Sequence, residues 1–238
     1  MTTTREKLEH DRMIISQQKY EHDVTECYPD VIQDKYEIYS YNHAQEIMAV
    51  AYPQEINELV DALAGFEFSI GDVSVGGGSE SAIPKKFDAL LYGLNWREAS
   101  ITGDLTVHVV ERWNRYSRSA HGDMDFENEV YIPGFLSGYN IDFLKGRIAC
   151  DVEWNSKDQT FDRDLYSMRG FYEAGIISVG IIITRSSELQ DFFRSIGQGK
   201  KYGASTTHMN KLLVRLATRR AGGCPILAIG IKEGCCRG

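Results

Sequence analysis

The stretch IDFLKGRIACDVEW, residues 141–154, carries three acids, Asp142, Asp151 and Glu153, inside a segment otherwise patterned as a buried strand. Alternate side chains of a strand share a face, so Arg147, Ala149, Asp151 and Glu153 point one way while Ile148, Cys150, Val152 and Trp154 point the other. Asp151 and Glu153 therefore project together, about 7 Å apart at the backbone. A hairpin or bulge after Asp142 brings that residue back beside them. Three carboxylates gathered at a sheet edge repel one another and hold protons too tightly unless a cation neutralises them. A hard divalent cation such as Mg2+ suits the arrangement, because it takes oxygen ligands, binds through one or two carboxylates and keeps water and phosphate in its shell. The plainer alternative makes Asp142 a turn cap and the other two the polar face of an edge strand, and the spacing alone leaves both open.

Charge distribution bears on that choice. The 238-residue chain has a formal net charge of −8, which argues at first against a nucleic-acid partner. The total conceals an asymmetry: residues 1–130 hold eleven Lys and Arg against twenty-four Asp and Glu, whereas residues 131–238 hold fifteen against ten. Between 185 and 220 lie Arg185, Arg194, Lys200, Lys201, Lys211, Arg215, Arg219 and Arg220 against only Glu188 and Asp191. Such clustering is the electrostatic footprint of a polyanion site that whole-chain charge misses. Carboxylate-held metal beside a basic segment is what cutting a phosphodiester requires, with the ion for the scissile phosphate and the cations for its neighbours.

Several other chemistries are disfavoured. The five cysteines, Cys27, Cys150, Cys224, Cys235 and Cys236, show neither CxxC pairs nor an even secreted framework, which argues against a zinc site or a disulfide scaffold. His108 and His121 lack a second histidine at ligand spacing. The glycines of GDVSVGGGSESAIPKK lack the GK[ST] ending of a phosphate-binding loop, so residues 71–86 read as a flexible linker and no nucleotide cofactor is expected. No apolar run approaches the roughly 20 residues of a membrane helix. The N-terminus lacks the apolar core of a signal peptide, and a cytoplasmic protein is expected.

The elements that must position the acids follow from periodicity. One domain is expected over residues 1–238, with residues 1–35 as an N-terminal helical extension and 139–233 as its most regular part. A short strand precedes a helix near 43–51, and PQEINELVDALAGF opens a helix at Pro53 and closes it at Gly65. ITGDLTVHVVERW reads as a strand, followed by a long exposed excursion. After the strand at 147–154, Phe161, Leu165, Met168 and Tyr172 recur at helical spacing over 160–174. The Ile-rich IISVGIIIT is a strand covered on both faces. A short helix near 187–196, a basic loop, a helix over about 206–218 capped by Ser205 or Thr206, and a last buried strand in CPILAIGIK complete the pattern. Strands separated by helices predict an α/β fold, a central mixed sheet with helices on its faces.

The order Asp142, Asp151, Glu153 resembles the PD-(D/E)xK nuclease motif, and other stretches resemble restriction endonucleases of the BglII and BstYI type. YNHAQEIM at 41–48 is similar to that group's YNHADEIL, and IPKKFD at 83–88 to its IPKRFD. NWREAS at 95–100 fits the BstYI branch. IDFLKGRIACDVEW is similar to TDFVKDRVAIEVQF, and CPILAIGIKE at 224–233 to APLVLIGIAP. These matches run in the same order over residues 38–233 and are densest from 139 onward. Two catalytic positions differ: Asp151 and Glu153 stand where relatives carry Glu and Gln, and the wider superfamily most often has Lys at the second.

The resemblance implies a Mg2+-dependent type II restriction endonuclease that cuts double-stranded DNA at a short palindrome, works as a homodimer and leaves 5′-phosphate ends. Asp142 and Asp151, with the backbone carbonyl of Val152, would hold the ion, and Glu153 would orient or deprotonate the attacking water. Two segments read bases in the related enzymes, and by position these are Asn155, Ser156 and Lys157, then Ser205, Thr206 and Thr207. Lys200 and Lys201, on a glycine-flanked loop, suit phosphate contact. Asp88 is marked by the resemblance without a local reason. A repair or junction-resolving nuclease of the same fold, or a non-cleaving DNA-binding protein with structural acids, are the alternatives.

Overall fold

The computed structural model describes residues 21–74, 82–111, 125–203 and 205–237. The strands are β1 (Glu21–Asp23), β2 (Tyr36–Tyr41), β3 (Phe68–Ser69), β4 (Arg97–Glu111), β5 (Asp125–Lys145), β6 (Ile148–Glu153), β7 (Val179–Arg185), β8 (Ile226–Ile231) and β9 (Cys236–Arg237). The α-helices are α1 (Asp30–Lys35), α2 (Ala44–Ala51), α3 (Pro53–Gly65), α4 (Ile70–Ser74), α5 (Ala82–Gly93), α6 (Thr160–Glu173), α7 (Leu189–Ser195) and α8 (Met209–Ala217). Seven strands form one sheet in the order β1-β2-β8-β7-β6-β5-β4, and β3 pairs with β9 apart from it. β6, β7 and β8 run parallel, whereas β5 and β2 flank them antiparallel, so the sheet is mixed and the α/β expectation holds.

The chain divides into two compact units, one of residues 1–99 with 140–238 and one of residues 100–139. Within the smaller unit, Asp104 accepts from the Gly134 amide at 2.8 Å and from the Tyr131 hydroxyl, and His108 faces Glu129 at 3.3 Å. The catalytic candidates all belong to the larger unit, whose central strands explain their setting. Every residue of β6, β7 and β8 is buried, as parallel strands covered on both faces require. Ile148, Cys150, Val152 and Trp154 enter one hydrophobic core with Val179, Ile181, Ile183, Leu227, Ile229 and Ile231, which is the alternation read from the sequence. On the other face, Gly180 admits α6: a Cβ there would lie 2.5 Å from Met168 Sδ.

Three expectations are corrected. Residues 21–35 are only partly helical, over 30–35, and are not an extension, because β1 pairs with β2 and Tyr28 and Ile32 enter the core. Residues 70–74 and 82–93 are helical rather than linker. There Ile83, Phe87 and Leu91 recur every four residues and bury one face, and Pro84 falls in the first turn, where no amide partner is lost. The last helix begins at Met209 with His208 as its cap residue and no side-chain cap bond, because Thr206 is engaged elsewhere. Residues 1–20, His121 with most of the excursion after β4, and the glycines at 76–78 lie outside the described residues. No helix of the described residues is long and apolar enough to cross a membrane.

Candidate active site

A two-residue turn at Gly146 and Arg147 joins β5 to β6, with Lys145 paired to Ile148 and Phe143 to Cys150. Gly146 holds φ at 54°, the positive value such tight hairpins demand and glycine adopts without strain. Asp142 and Asp151 meet one step beyond Phe143 and Cys150. The Asp142 amide donates to Asp151 Oδ1 at 2.8 Å, and the Val152 amide donates to Asp142 Oδ2 at 3.3 Å. β6 therefore lies inside the sheet, between β5 and β7, and not at the edge expected from sequence. The hairpin itself gathers the acids.

Asp151 is buried, and its Oδ2 finds no hydrogen-bond partner among the described residues. Burial and then the charge of Asp142 push it up to about 8. Asp142 is exposed, yet neighbouring protein atoms withdraw its carboxylate from water and raise it, with further contributions from Glu153 and Asp88. An orphaned, buried carboxylate oxygen beside a second carboxylate fits a hard divalent cation, which binds through one or two such groups. Among the described residues no group of three or more His, Cys, Asp or Glu side chains is disposed to hold an ion; the carboxylates brought together here are the pair Asp142 and Asp151.

Glu153 is relieved of repulsion in a different way. It is buried, and its two oxygens meet α6: Oε1 accepts from Arg163 Nη2 at 3.1 Å, and Oε2 lies 3.0 Å from Thr160 Oγ1, whose single proton it shares with the Lys157 carbonyl at 2.9 Å. Arg163 also grips Asp164 Oδ1 through Nε and Nη2, at 3.0 and 2.9 Å. Asp164 is a fourth acid, buried, with Oδ2 lacking a partner among the described residues. Burial first, then the charges of Glu153 and Asp151, push it up to about 9. Thr160, Arg163 and Asp164 fall at i, i+3 and i+4, one face of a helix, which is the signal in TFDRD that sequence reading passed over. Asp88, on α5, proves near enough to Asp142 to raise it.

The two segments expected to read bases come together. Lys157 bridges Thr206 in antiparallel fashion, the Thr207 amide donates to the Ser156 carbonyl at 2.9 Å and the Asp158 amide to that of Ser205 at 3.2 Å. Lys157 and Ser205 are exposed. Asn155 is half-buried, with Oδ1 unpartnered among the described residues. Thr207 is buried, and Thr206 Oγ1 accepts from Arg185 at 2.7 Å while donating to the Gly203 carbonyl. Lys201 Nζ donates to the Val73 carbonyl at 3.0 Å, whereas Lys200 is exposed.

Much of the basic cluster is spent internally. Lys211 pairs with Asp158 at 2.7 Å, Arg215 with Asp158 and Asp162 at 3.6 and 3.1 Å, and Arg220 with Asp162. Arg194 pairs with Asp191. These contacts fasten α8 and the residues after it to α6 and to Asp158 just before it, but they leave less free positive charge than a count of residues suggests.

The sequence family described as Restriction endonuclease BglII/BglIII matches residues 36–231. No individually curated protein matches the chain. The match takes in β2 through β8, and with them the interlocked Asp142 and Asp151, Glu153 and the paired segments around Lys157 and Thr206. The chain thus belongs to the BglII/BglIII restriction endonuclease family and is a type II site-specific deoxyribonuclease.

Proposed function

We propose that the protein cleaves double-stranded DNA at a short palindromic site with Mg2+ as cofactor, leaving 5′-phosphate ends, and that it acts as a homodimer whose two-fold axis matches that of the site. Asp142 and Asp151, with the Val152 carbonyl, hold the ion. When bound, a divalent ion stabilises the charge that gathers on the phosphate. Glu153 orients or deprotonates the attacking water. The water oxygen bonds to phosphorus as the P–O3′ bond breaks, its electron pair leaves on O3′, and O3′ takes a proton from solvent. Asn155, Ser156, Lys157 and Ser205 form the base-reading surface, with Thr206 and the buried Thr207 holding that segment from within, and Lys200 serves the phosphates, Lys201 being tied to the Val73 carbonyl.

The observation that carries this reading is the buried Oδ2 of Asp151, without a hydrogen-bond partner among the described residues and set against Asp142. Incubating the protein with plasmid DNA and Mg2+ tests it. Discrete fragments with 5′-phosphate ends are expected, and Asp151→Ala should abolish cutting while leaving a mobility shift on DNA. Cutting confined to junctions or damaged sites would favour a repair nuclease instead. A shift with no cutting by the wild type would mean that the acids are structural.

A further inference from the structure

We propose that Arg163, anchored by Asp164 and helped by Thr160, is a positioning residue that keeps Glu153 out of the cation's ligand set. This inference rests on the reading of Asp142 and Asp151 as the cation site. Asp151 and Glu153 leave the same face of β6, two residues apart, yet they are drawn in different directions. Asp151 and Asp142 are bound to backbone amides of the β5–β6 hairpin, whereas both oxygens of Glu153 are taken by side chains of α6. A carboxylate held at each oxygen must surrender a charge-assisted hydrogen bond before it can turn toward an ion.

The anchor has a definite build. The Asp164 carboxylate is only 4% exposed, and the Arg163 side chain rooted on it is 69% exposed. The guanidinium thus leans on a buried acid and reaches out to Glu153 through one nitrogen, Nη2, which serves both acids. A planar fork gripped in this way has few alternative positions, unlike a lysine ammonium. Its charge also reaches Asp142 and Asp151. Without it, Glu153 would be a third carboxylate beside an ion that needs only one or two, and it would displace water or phosphate from the shell. With it, Glu153 stays apart, and each of its oxygens keeps a further lone pair with which to accept from a water.

The test opposes two readouts that a merely structural role would move together. Mn2+ binding to the full-length, DNA-free protein is measured by titration calorimetry, and kcat and KM for plasmid cleavage are measured in Mg2+. Arg163→Ala should bind Mn2+ about tenfold more tightly, through the lost positive charge and the freed carboxylate. Its kcat should fall about a hundredfold with KM little changed, the loss of a well-placed proton acceptor. Arg163→Lys, which keeps the charge, should restore near-wild-type Mn2+ affinity and part of kcat. Unchanged or weaker Mn2+ binding by Arg163→Ala, or an unchanged kcat, overturns the proposal. If the wild type cuts and Asp151→Ala loses Mn2+ while Arg163→Ala behaves as wild type, only the role of Arg163 fails. If the wild type neither cuts nor binds Mn2+ through Asp151, the reading of the site falls and this inference with it.

Discussion

Asp142 and Asp151 hold each other by crossed bonds: the amide of Asp142 donates to Asp151 Oδ1 at 2.8 Å, and the amide following Asp151 donates to Asp142 Oδ2 at 3.3 Å. A hairpin thus brings two acids nine positions apart into register, with one oxygen of Asp151 left over among the described residues. Several expectations depend on that relationship and on the elements that support it.

Burial and the neighbouring Asp142 push Asp151 up to about 8, against about 4 for an unfolded aspartate. The folded chain therefore keeps a proton that the unfolded chain has lost between about pH 4 and 8, so raising the pH across that window removes stability. In EDTA, the Tm of the wild type should fall from about pH 5 to 8 by more than that of Asp151→Asn, which has no proton to lose there. Adding Mg2+ at the upper end should raise the wild-type Tm and leave the variant unmoved. A wild-type Tm in EDTA that falls no more than the variant's would contradict this.

Arg185 closes β7, fully buried and without an ion pair among the described residues. Its guanidinium holds Thr206 Oγ1 at 2.7 Å and lies 5.7 and 5.9 Å from the ring centroids of Phe193 and Tyr202. Burial pushes it down to about 10, so it stays charged. Lysine cannot reproduce the fork, and Arg185→Lys should destabilise the protein by about 2–4 kcal/mol, read as a lower urea midpoint. Because Arg185 pins the segment before α8, discrimination between DNA sites should weaken as well. A midpoint equal to that of the wild type would show that these contacts do not contribute.

Gly180 sets how closely α6 approaches β7. A Cβ would meet Met168 Sδ at 2.5 Å and Ile226 Cδ1 at 2.8 Å, both ends of flexible side chains. Gly180→Ala should therefore fold at a cost of about 1–3 kcal/mol, and kcat should fall as α6 shifts under Glu153. A larger residue, Gly180→Val, should cost more. Chemical denaturation and cleavage rates measured on both variants check the order.

Lys200 and Lys201 are neighbours with different employment. Lys201 is tied to the Val73 carbonyl and lies over the Tyr202 ring; Lys200 is exposed. Lys200→Ala should weaken DNA binding evenly across sequences and reduce the slope of log K against log salt by about one. Lys201→Ala should show itself first as lost stability. Equal salt slopes for wild type and Lys200→Ala would remove Lys200 from the phosphate contacts.

Legibility from sequence followed the range of the interactions. The alternation in RIACDVEW placed Ile148, Cys150, Val152 and Trp154 in the core and left Asp151 and Glu153 opposite, because a strand's period is fixed by backbone geometry alone. The helix over 160–173 and the buried strands β7 and β8 were equally plain. The helix 82–93 was missed because the glycines just upstream suggested a linker, while the decisive burial of Ile83, Phe87 and Leu91 is a tertiary event.

The sequence by itself determined the α/β order, the shared face of Asp151 and Glu153, and the resemblance that the family match later bore out. Only the tertiary structure decided what those residues face. It put β6 inside the sheet, tied Asp142 to Asp151, and turned Glu153 to Thr160 and Arg163. It also matched Lys211, Arg215 and Arg220 with Asp158 and Asp162, more than fifty residues away along the chain. Local periodicity is written in neighbouring residues, but the partner of a charge depends on which elements pack together, and no local pattern encodes that.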